Sequence, residues 1–260
     1  MAQALGGTFQ LAKNGPPKRR LIVAVDGREK EGKTNFSLTA PGPLAFQNFD
    51  VGLEGVIEKF TGQKQIWLPE AYGITVHKED DDKKIMAKVL PVWERFVQEY
   101  RMVLDGARKG TLRSAVIDTG SEAWEMLRLA RFGKLTQIMP HHYTGLNTEY
   151  RNLIREAYDT PINLIVLHRL KAEWQDNPLT GKGGKTGRWE RAGYADTGFL
   201  VQVNIRMFKR VVEGESQFVL QVVNCRQNPK IDGLELVNEM ASFPWLAVNV
   251  YPDTDLSDWE

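Results

Sequence analysis

Apolar residues recur along the chain with two different periods, which indicate alternating strands and helices. Four short apolar runs predict buried strands, at residues 21–25, 44–49, 114–118 and 161–167. Apolar positions three or four residues apart predict helices over 83–108, 121–132 and 147–158. Pro91 lies inside the first of these and is expected to kink or divide it. Strands that alternate with helices in this way are typical of an α/β fold with a mostly parallel central sheet.

Two other stretches have weaker or different patterns. Residues 51–82 suggest only a short helix at 53–60 and a strand at 65–68, before an acidic run at 79–82 that is expected to cap the next helix. From residue 197 onward the apolar positions alternate, over 199–207 and again over 218–223. The Gly-containing turn between these segments predicts an antiparallel hairpin at the C-terminal edge of the sheet.

Residues 27–34 fit the pattern G-x-x-x-x-G-K-[ST], which is typical of loops that hold nucleotide phosphates. The context also fits, because a buried strand comes before the loop and a helix over 35–40, stopped by Pro41, is predicted after it. The alternative is an ordinary glycine-rich turn between strand and helix. The predicted nucleotide-binding residues are Gly27, Arg28, Glu29, Lys30, Glu31, Gly32, Lys33, Thr34 and Asn35.

The spacing of this motif serves a particular chemistry. Backbone N–H groups close around the β-phosphate of ATP, Lys33 reaches the β- and γ-phosphates, and the Thr34 hydroxyl is expected to ligate Mg²⁺. Asp118 ends an apolar strand and is the predicted second magnesium ligand; the alternative is an acid that caps the next helix. Asp50 and Glu54 follow another strand, so that one of them is expected to orient the attacking water, unless both are solvated loop acids.

Residues 171–193 contain many glycines, cations and tryptophans and predict a mobile loop. Cations that follow phosphates, with aromatic rings that stack on bases, are typical of sites for single-stranded nucleic acid. The alternative is a long surface linker. The predicted DNA contacts in this stretch are Lys171, Trp174, Lys182, Lys185, Arg188, Trp189 and Arg191.

Composition sets broader limits on the class of protein. The 260 residues suffice for one large domain at 21–250, with an N-terminal arm at 1–20 and an acidic C-terminal tail at 251–260. A net charge of +1 favours neither presence nor absence of nucleic acid. The single cysteine, Cys225, excludes an internal disulfide and is expected to be a buried thiol. The chain shows no signal peptide and no apolar run of membrane-spanning length, which predicts a cytoplasmic protein without a membrane partner.

Taken in order, these motifs resemble those of the RecA-like recombination ATPases, over about residues 21–229. Within them the chain is similar to the small phage group of single-strand annealing proteins that keep only the ATPase core. The resemblance implies a RecA-like P-loop NTPase core with Glu29 at the third loop position, Asp50 as the catalytic carboxylate and Asp118 beside Mg²⁺. It also implies that His168, at a strand end, senses the γ-phosphate.

Further expectations concern DNA and self-association. Residues 133–145, with His142 and Tyr143, lie where the first DNA-binding loop of the family would be. Arg226 lies near the position from which family members project a basic residue into the nucleotide site of a neighbour. Residues 9–12 are similar to the F-x-x-A segment that docks on an adjacent protomer.

The resulting hypothesis is an ATP-dependent, magnesium-dependent protein that binds single-stranded DNA and promotes annealing or strand exchange as a head-to-tail filament or ring. A single-strand-binding protein is a further candidate partner, and the resemblance implies a phage or prophage origin in a bacterial cytoplasm. Two alternatives remain open: a small-molecule P-loop kinase with 171–193 as a lid, and a helicase or packaging-type motor ATPase.

Overall fold

The computed structural model describes residues 19–50, 52–134, 139, 142–176 and 183–260. The strands are β1 (Ile22–Gly27), β2 (Leu44–Asn48), β3 (Ile66–Trp67), β4 (Ser114–Asp118), β5 (Asn163–Asp176), β6 (Gly183–Arg191), β7 (Val203–Val212), β8 (Glu215–Cys225) and β9 (Glu235–Val237). The helices are α1 (Lys33–Leu38), α2 (Asp82–Arg108), α3 (Gly120–Phe132), α4 (Tyr143–Tyr158), α5 (Thr197–Leu200) and α6 (Phe243–Val250).

The strands form a central sheet in the order β3-β2-β4-β5-β1-β7-β8-β9, with β6 paired to β5 outside this path. Neighbours from β3 to β7 run parallel, whereas β8 and β9 are antiparallel additions at the C-terminal edge. This α/β fold, with a mostly parallel central sheet flanked by helices and antiparallel strands at its C-terminal edge, confirms the predicted fold class. The strand that leads into the phosphate loop and the strand that ends in Asp118 are separated by β5 alone.

The sheet is buried on both faces, which explains why its inner strands are continuous apolar runs. Val23 and Val25 of β1 lie in the layer packed by α1 and α6. Ile22 and Ala24 lie in the opposite layer, packed by α2, α3 and α4. Because side chains of a strand alternate between faces, every inner strand contributes to both layers.

The long helix α2 begins at an acidic cap, as the sequence predicts. The Asp81 carboxylate accepts a hydrogen bond from the Lys84 backbone N–H at 2.8 Å. The helix then continues through Pro91 without division. Its buried stripe, which includes Trp93 and Phe96, packs in the layer that covers one face of the sheet.

The structure corrects the expectation of a loop at 171–193. β5 continues beyond the sheet to Asp176, and β6, which begins at Gly183, pairs antiparallel with it, so these two strands form a β-hairpin. Every residue of β6 except Arg191 is exposed. Neither strand packs on the core beyond the sheet, so apolar residues do not recur at a regular spacing in the hairpin. A sequence pattern therefore gives no sign of these two strands.

The predicted acidic tail at 251–260 also differs from expectation. Trp259 is buried and stacks on Tyr251 with ring centroids 5.7 Å apart. The Arg113 guanidinium donates to the main-chain oxygens of Asp258 and Glu260. Since Arg113 directly precedes β4, the segment packs at the amino-terminal edge of the parallel strands, away from the basic hairpin.

Three predictions fall outside the described residues: the N-terminal arm up to residue 18, its docking segment at 9–12, and the DNA contact Lys182. Cys225 is buried, as expected. Among the helices described above, none is both long and apolar enough to cross a membrane.

Candidate functional site

The residues predicted to bind nucleotide and magnesium lie at the carboxyl ends of the parallel strands, where open α/β sheets bind their ligands. Gly27 at the end of β1 lies opposite Arg169 of β5. Asn48 at the end of β2 lies opposite Asp118 of β4. The phosphate loop, Asp50 and Asp118 therefore lie at one edge of the sheet.

Two glycines give the phosphate loop its shape. Gly32 has a φ of +90°, in the left-handed region that favours glycine. A Cβ on Gly27 would lie 2.9 Å from the main-chain oxygen of Met207 on the neighbouring strand. The loop thus needs glycine at both positions for physical reasons, and it forms a backbone cradle at the start of α1 that fits a phosphate group.

The side chains of Lys33 and Thr34 point into this cradle and toward β4. The Lys33 ammonium donates to the main-chain oxygens of Gly27, at 2.8 Å, and Arg28, at 2.5 Å. The Thr34 hydroxyl donates to the Asp118 carboxylate at 3.0 Å. A hydroxyl and a carboxylate are oxygen ligands of the kind Mg²⁺ prefers, so that Thr34 and Asp118 fit a magnesium site.

The rest of such a coordination shell would come from nucleotide and water. Within the described part of the chain, no group of three or more His, Cys, Asp or Glu side chains is placed to hold a metal ion. Magnesium that keeps several waters and binds phosphate oxygens needs only one or two protein ligands. The donor set therefore fits a magnesium ion that arrives with a nucleotide.

Burial disfavours the charged form of both central groups. It raises the pKa of Asp118 from 3.8 to about 6, with a smaller contribution from the nearby Asp50 charge. Burial also lowers the pKa of Lys33, which the Asp118 charge partly offsets. Without a ligand, the site thus holds a carboxylate that its surroundings disfavour.

We expect Asp118→Asn to stabilise the ligand-free protein. Because the pKa of Asp118 is higher in the folded state, its contribution to stability is full below about pH 4 and is lost as pH rises through about 6. The asparagine variant keeps an acceptor for Thr34 without this loss. Above pH 7 it should gain about 2 to 3 kcal/mol in the free energy of unfolding. Urea unfolding between pH 4 and 8 measures the difference.

The same variant should lose the stabilisation that a magnesium-bound ATP analogue gives to the wild-type protein. A gain in stability that does not depend on pH would contradict the assigned cause. So would a variant that is less stable than wild type at pH 7 and equal to it at pH 4.

Arg169 is a site residue that the sequence analysis misses. Its guanidinium contacts Asp50 at 2.9 Å and also forms an ion pair with Glu122 at the start of α3. Leu167 lies in the layer of α1, and Arg169, two residues further, shares that face. The sequence does indicate that a residue at this strand end lies beside the phosphate loop. To choose between the adjacent residues His168 and Arg169, however, one must know which face of the strand each side chain occupies.

His168 lies on the opposite face and is not brought to the phosphate loop. It is fully buried, and its Cε1 lies against Gly120 of α3. Its Nδ1 is 3.3 Å from the main-chain oxygen of Ala192. Burial, together with the neighbouring Arg191 charge, holds the pKa of His168 well below its usual value. His168 is thus buried against α3, on the face opposite Arg169, and its role as a γ-phosphate sensor stays a prediction.

Two other predicted catalytic residues lie apart from the loop of the same chain. Glu54 is exposed in a turn beyond Asp50. Arg226 directly follows Cys225, the last residue of β8, which pairs with Val203 at the amino-terminal end of β7. Its guanidinium donates to the Phe199 main-chain oxygen at 2.7 Å. Since β7 runs parallel to β1, Arg226 lies at the opposite sheet edge, so that its predicted action on a neighbour's nucleotide stays a prediction.

The hairpin of β5 and β6 exposes the aromatic and basic side chains predicted for DNA. Trp174 is 62% exposed, and the Lys185 ammonium lies 5.9 Å from its ring centroid. Trp189 is 40% exposed. The exposed cations of the described hairpin residues include Lys171, Lys185 and Arg188. Lys171 also forms an exposed ion pair with Glu190, at 3.2 Å.

Arg191, one of the predicted DNA contacts, instead forms a buried ion pair within the fold. Its guanidinium forms two hydrogen bonds with the Asp26 carboxylate, at 2.7 and 3.1 Å, and one with Asn204 at 2.8 Å. Its side chain is only 12% exposed. Because Asp26 directly precedes Gly27, Arg191 anchors the base of the hairpin to the strand that carries the phosphate loop.

Residues 135–138, 140 and 141 of the predicted first DNA loop lie outside the described part of the chain. Tyr143 is the first residue of α4 rather than part of a loop, and its ring stacks on Trp124 with centroids 6.5 Å apart. The His142 ring packs against Phe132 at 5.9 Å. Both side chains have neighbours in the fold, and their contact with DNA stays a prediction.

Comparison with known proteins adds little to this geometry. No protein-family model matches the chain, and no curated protein matches it either. Among solved structures, the chain is similar to a KaiC-like protein from the hyperthermophilic archaeon Pyrococcus horikoshii, with 14% sequence identity and a TM-score of 0.47. The likeness covers 85% of this chain and 86% of the other. Membership of the phage annealing group therefore stays a prediction.

Proposed function

We propose that this protein is a magnesium-dependent ATPase that binds single-stranded DNA through the β5–β6 hairpin. The observation that carries the proposal is the course of β5. This strand lies between β1 and β4, carries Arg169 at the edge where the phosphate loop lies, and continues into the hairpin with its exposed tryptophans. One strand thus joins the two candidate sites.

Each residue at the proposed nucleotide site would have a separate role in ATP hydrolysis. Lys33 would leave its two carbonyl partners to bind the β- and γ-phosphates, where its charge stabilises the transition state. Magnesium, when bound at Thr34 and Asp118, supplies further charge neutralisation. Asp50 would orient a water molecule, and Arg169, whose guanidinium donates to the Asp50 carboxylate, would hold that carboxylate in position. Arg169 also supplies a positive charge on the face of the loop.

Assembly of several copies, and annealing or strand exchange by them, form the second part of the proposal. Arg226 is exposed at the edge opposite its own phosphate loop. A head-to-tail arrangement would bring this edge of one protomer to the nucleotide of the next. Hydrolysis would then depend on assembly, since the additional cation comes from a neighbour.

The DNA assignment is tested by fluorescence anisotropy with a labelled oligothymidylate, with and without a magnesium-bound ATP analogue. We expect affinity to fall steeply with salt, because phosphate contacts release counterions. Trp174→Ala should weaken binding by about fivefold or more, since the stacking of one base is worth about 1–3 kcal/mol. Trp67→Ala is the matched control, because Trp67 is 61% exposed but lies on the edge strand β3.

The comparison of the two variants tests whether the hairpin binds DNA. Weakening by Trp174→Ala and none by Trp67→Ala supports the hairpin as the DNA site. Equal effects of both variants would remove the hairpin as the DNA site, and the absence of salt-dependent binding would remove DNA from the proposal. ATP consumption that rises with a nucleoside and not with DNA would instead favour a small-molecule kinase.

A further inference from the structure

Arg28, the residue after Gly27, contacts both candidate sites. Its backbone N–H donates to the Glu31 carboxylate, and its main-chain oxygen accepts from the Lys33 ammonium at 2.5 Å. Its guanidinium lies over the Trp189 indole, with Cζ 4.0 Å from the ring centroid. Arg28 thus connects the phosphate loop directly to the hairpin.

A bound triphosphate would compete for each of these contacts. Phosphate oxygens bind the backbone N–H groups of such a loop, and one of these N–H groups now bonds the Glu31 carboxylate. Phosphate also attracts the Lys33 ammonium away from the Arg28 carbonyl. For the guanidinium, charge-assisted hydrogen bonds to phosphate are stronger than an exposed cation–π contact. The present arrangement of Arg28 is therefore one that nucleotide binding changes.

Trp189 is the partner that this change would affect. Arg28 covers one face of an indole that is 40% exposed, and a nucleic-acid base needs an open face on which to stack. Trp174 differs, because the cation near its ring, Lys185, belongs to the hairpin itself. A change in the phosphate loop would thus reach Trp189 directly, without the same effect on Trp174.

We propose that Arg28 exchanges between the Trp189 indole and the bound triphosphate, so that nucleotide binding uncovers Trp189 for base stacking. The proposal rests on the function proposed above, and it adds how the two sites are coupled. The coupling is positive and reciprocal, because each ligand removes a contact that hinders the other. An exposed cation–π contact limits the effect to about two- to fivefold in affinity.

The first test needs no DNA. The protein is labelled with 5-fluorotryptophan, and the ¹⁹F resonances of Trp189 and Trp174 are assigned by replacing each with Phe. A magnesium-bound, non-hydrolysable ATP analogue should shift the Trp189 resonance and leave that of Trp174 nearly unchanged. In Arg28→Ala, the Trp189 resonance should already lie near the position that the analogue produces, and the analogue should move it little. An unchanged Trp189 resonance at saturating analogue would overturn the proposal, as would an equal shift in Arg28→Ala.

The second test uses affinities measured by calorimetry and anisotropy. Trp189→Ala should raise affinity for the analogue about two- to fivefold, because Arg28 loses its competing partner. Trp67→Ala should leave that affinity unchanged. Arg28→Ala should bind oligothymidylate equally well with and without analogue. Lower analogue affinity in Trp189→Ala would overturn the exchange.

Failure of the proposed function is recognised separately. If calorimetry shows no binding of the analogue to the wild-type protein, the ATPase proposal fails and the exchange fails with it. If the analogue binds but oligothymidylate does not, the DNA assignment fails, and the Trp189 resonance still decides whether Arg28 exchanges partners.

Discussion

Lys33→Ala should abolish measurable nucleotide binding while the protein stays folded. The Lys33 ammonium is the one cation of the phosphate loop that lies inside the cradle, bonded to the Gly27 and Arg28 oxygens. A hydrogen bond to a charged group is worth about 1.5–3 kcal/mol, and the ammonium can make two to phosphate. We therefore expect the affinity for a magnesium-bound ATP analogue to fall by about a hundredfold or more, as measured by calorimetry.

The fold should tolerate this change, because the two carbonyl groups that lose the ammonium lie beside exposed loop residues. Circular dichroism and the thermal midpoint should differ little from those of the wild type. Lys109→Ala is a suitable control, since Lys109 is an exposed lysine at the end of α2. Undiminished binding of the analogue to Lys33→Ala would refute the nucleotide site itself.

Asp26→Ala should destabilise the protein by about 3–5 kcal/mol, the usual cost when one partner of a buried ion pair is removed. The Arg191 side chain is only 12% exposed, and in the variant its guanidinium loses the Asp26 carboxylate and keeps the hydrogen bond to Asn204. Replacing both residues, as in Asp26→Ala with Arg191→Met, should recover much of the loss, because no unpaired charge stays buried. Urea unfolding gives the three free energies.

The hairpin offers a matched comparison for this ion pair. Lys171 of β5 and Glu190 of β6, the neighbour of Arg191 in the chain, also form an ion pair at 3.2 Å, but both of these side chains are exposed. Breaking this pair should cost less than about 1 kcal/mol. If Asp26→Ala costs no more than Glu190→Ala, the anchoring role assigned to Arg191 is wrong.

The phosphate loop and the inner strands are the parts of the fold that sequence pattern predicts well. β4 has the predicted bounds, and the glycines of the loop lie where the motif requires them. The reason is physical, since strands covered on both faces leave no room for polar side chains and appear as unbroken apolar runs. Asp118 follows such a run, so its position beside Thr34 is also predictable.

The remaining site residues depend on information that a linear pattern does not contain. His168 and Arg169 are adjacent, and only the faces of β5 decide that Arg169 lies beside the loop. Arg191 looks like one of several hairpin cations until its pairing with Asp26 is known. The burial of Trp259 could not be predicted either, because its neighbours in the sequence are acidic and packing rather than composition determines burial.

The anchoring of the hairpin has a mechanical consequence. A pull on a strand of DNA held by the hairpin would load β5 in shear against its parallel neighbours, since β5 hydrogen bonds to β1 and β4 along its inner half. Part of that tension would pass through the Arg191 guanidinium to Asp26, the residue directly before the phosphate loop. The proposed nucleotide site thus lies at the point where force on the DNA strand would be borne.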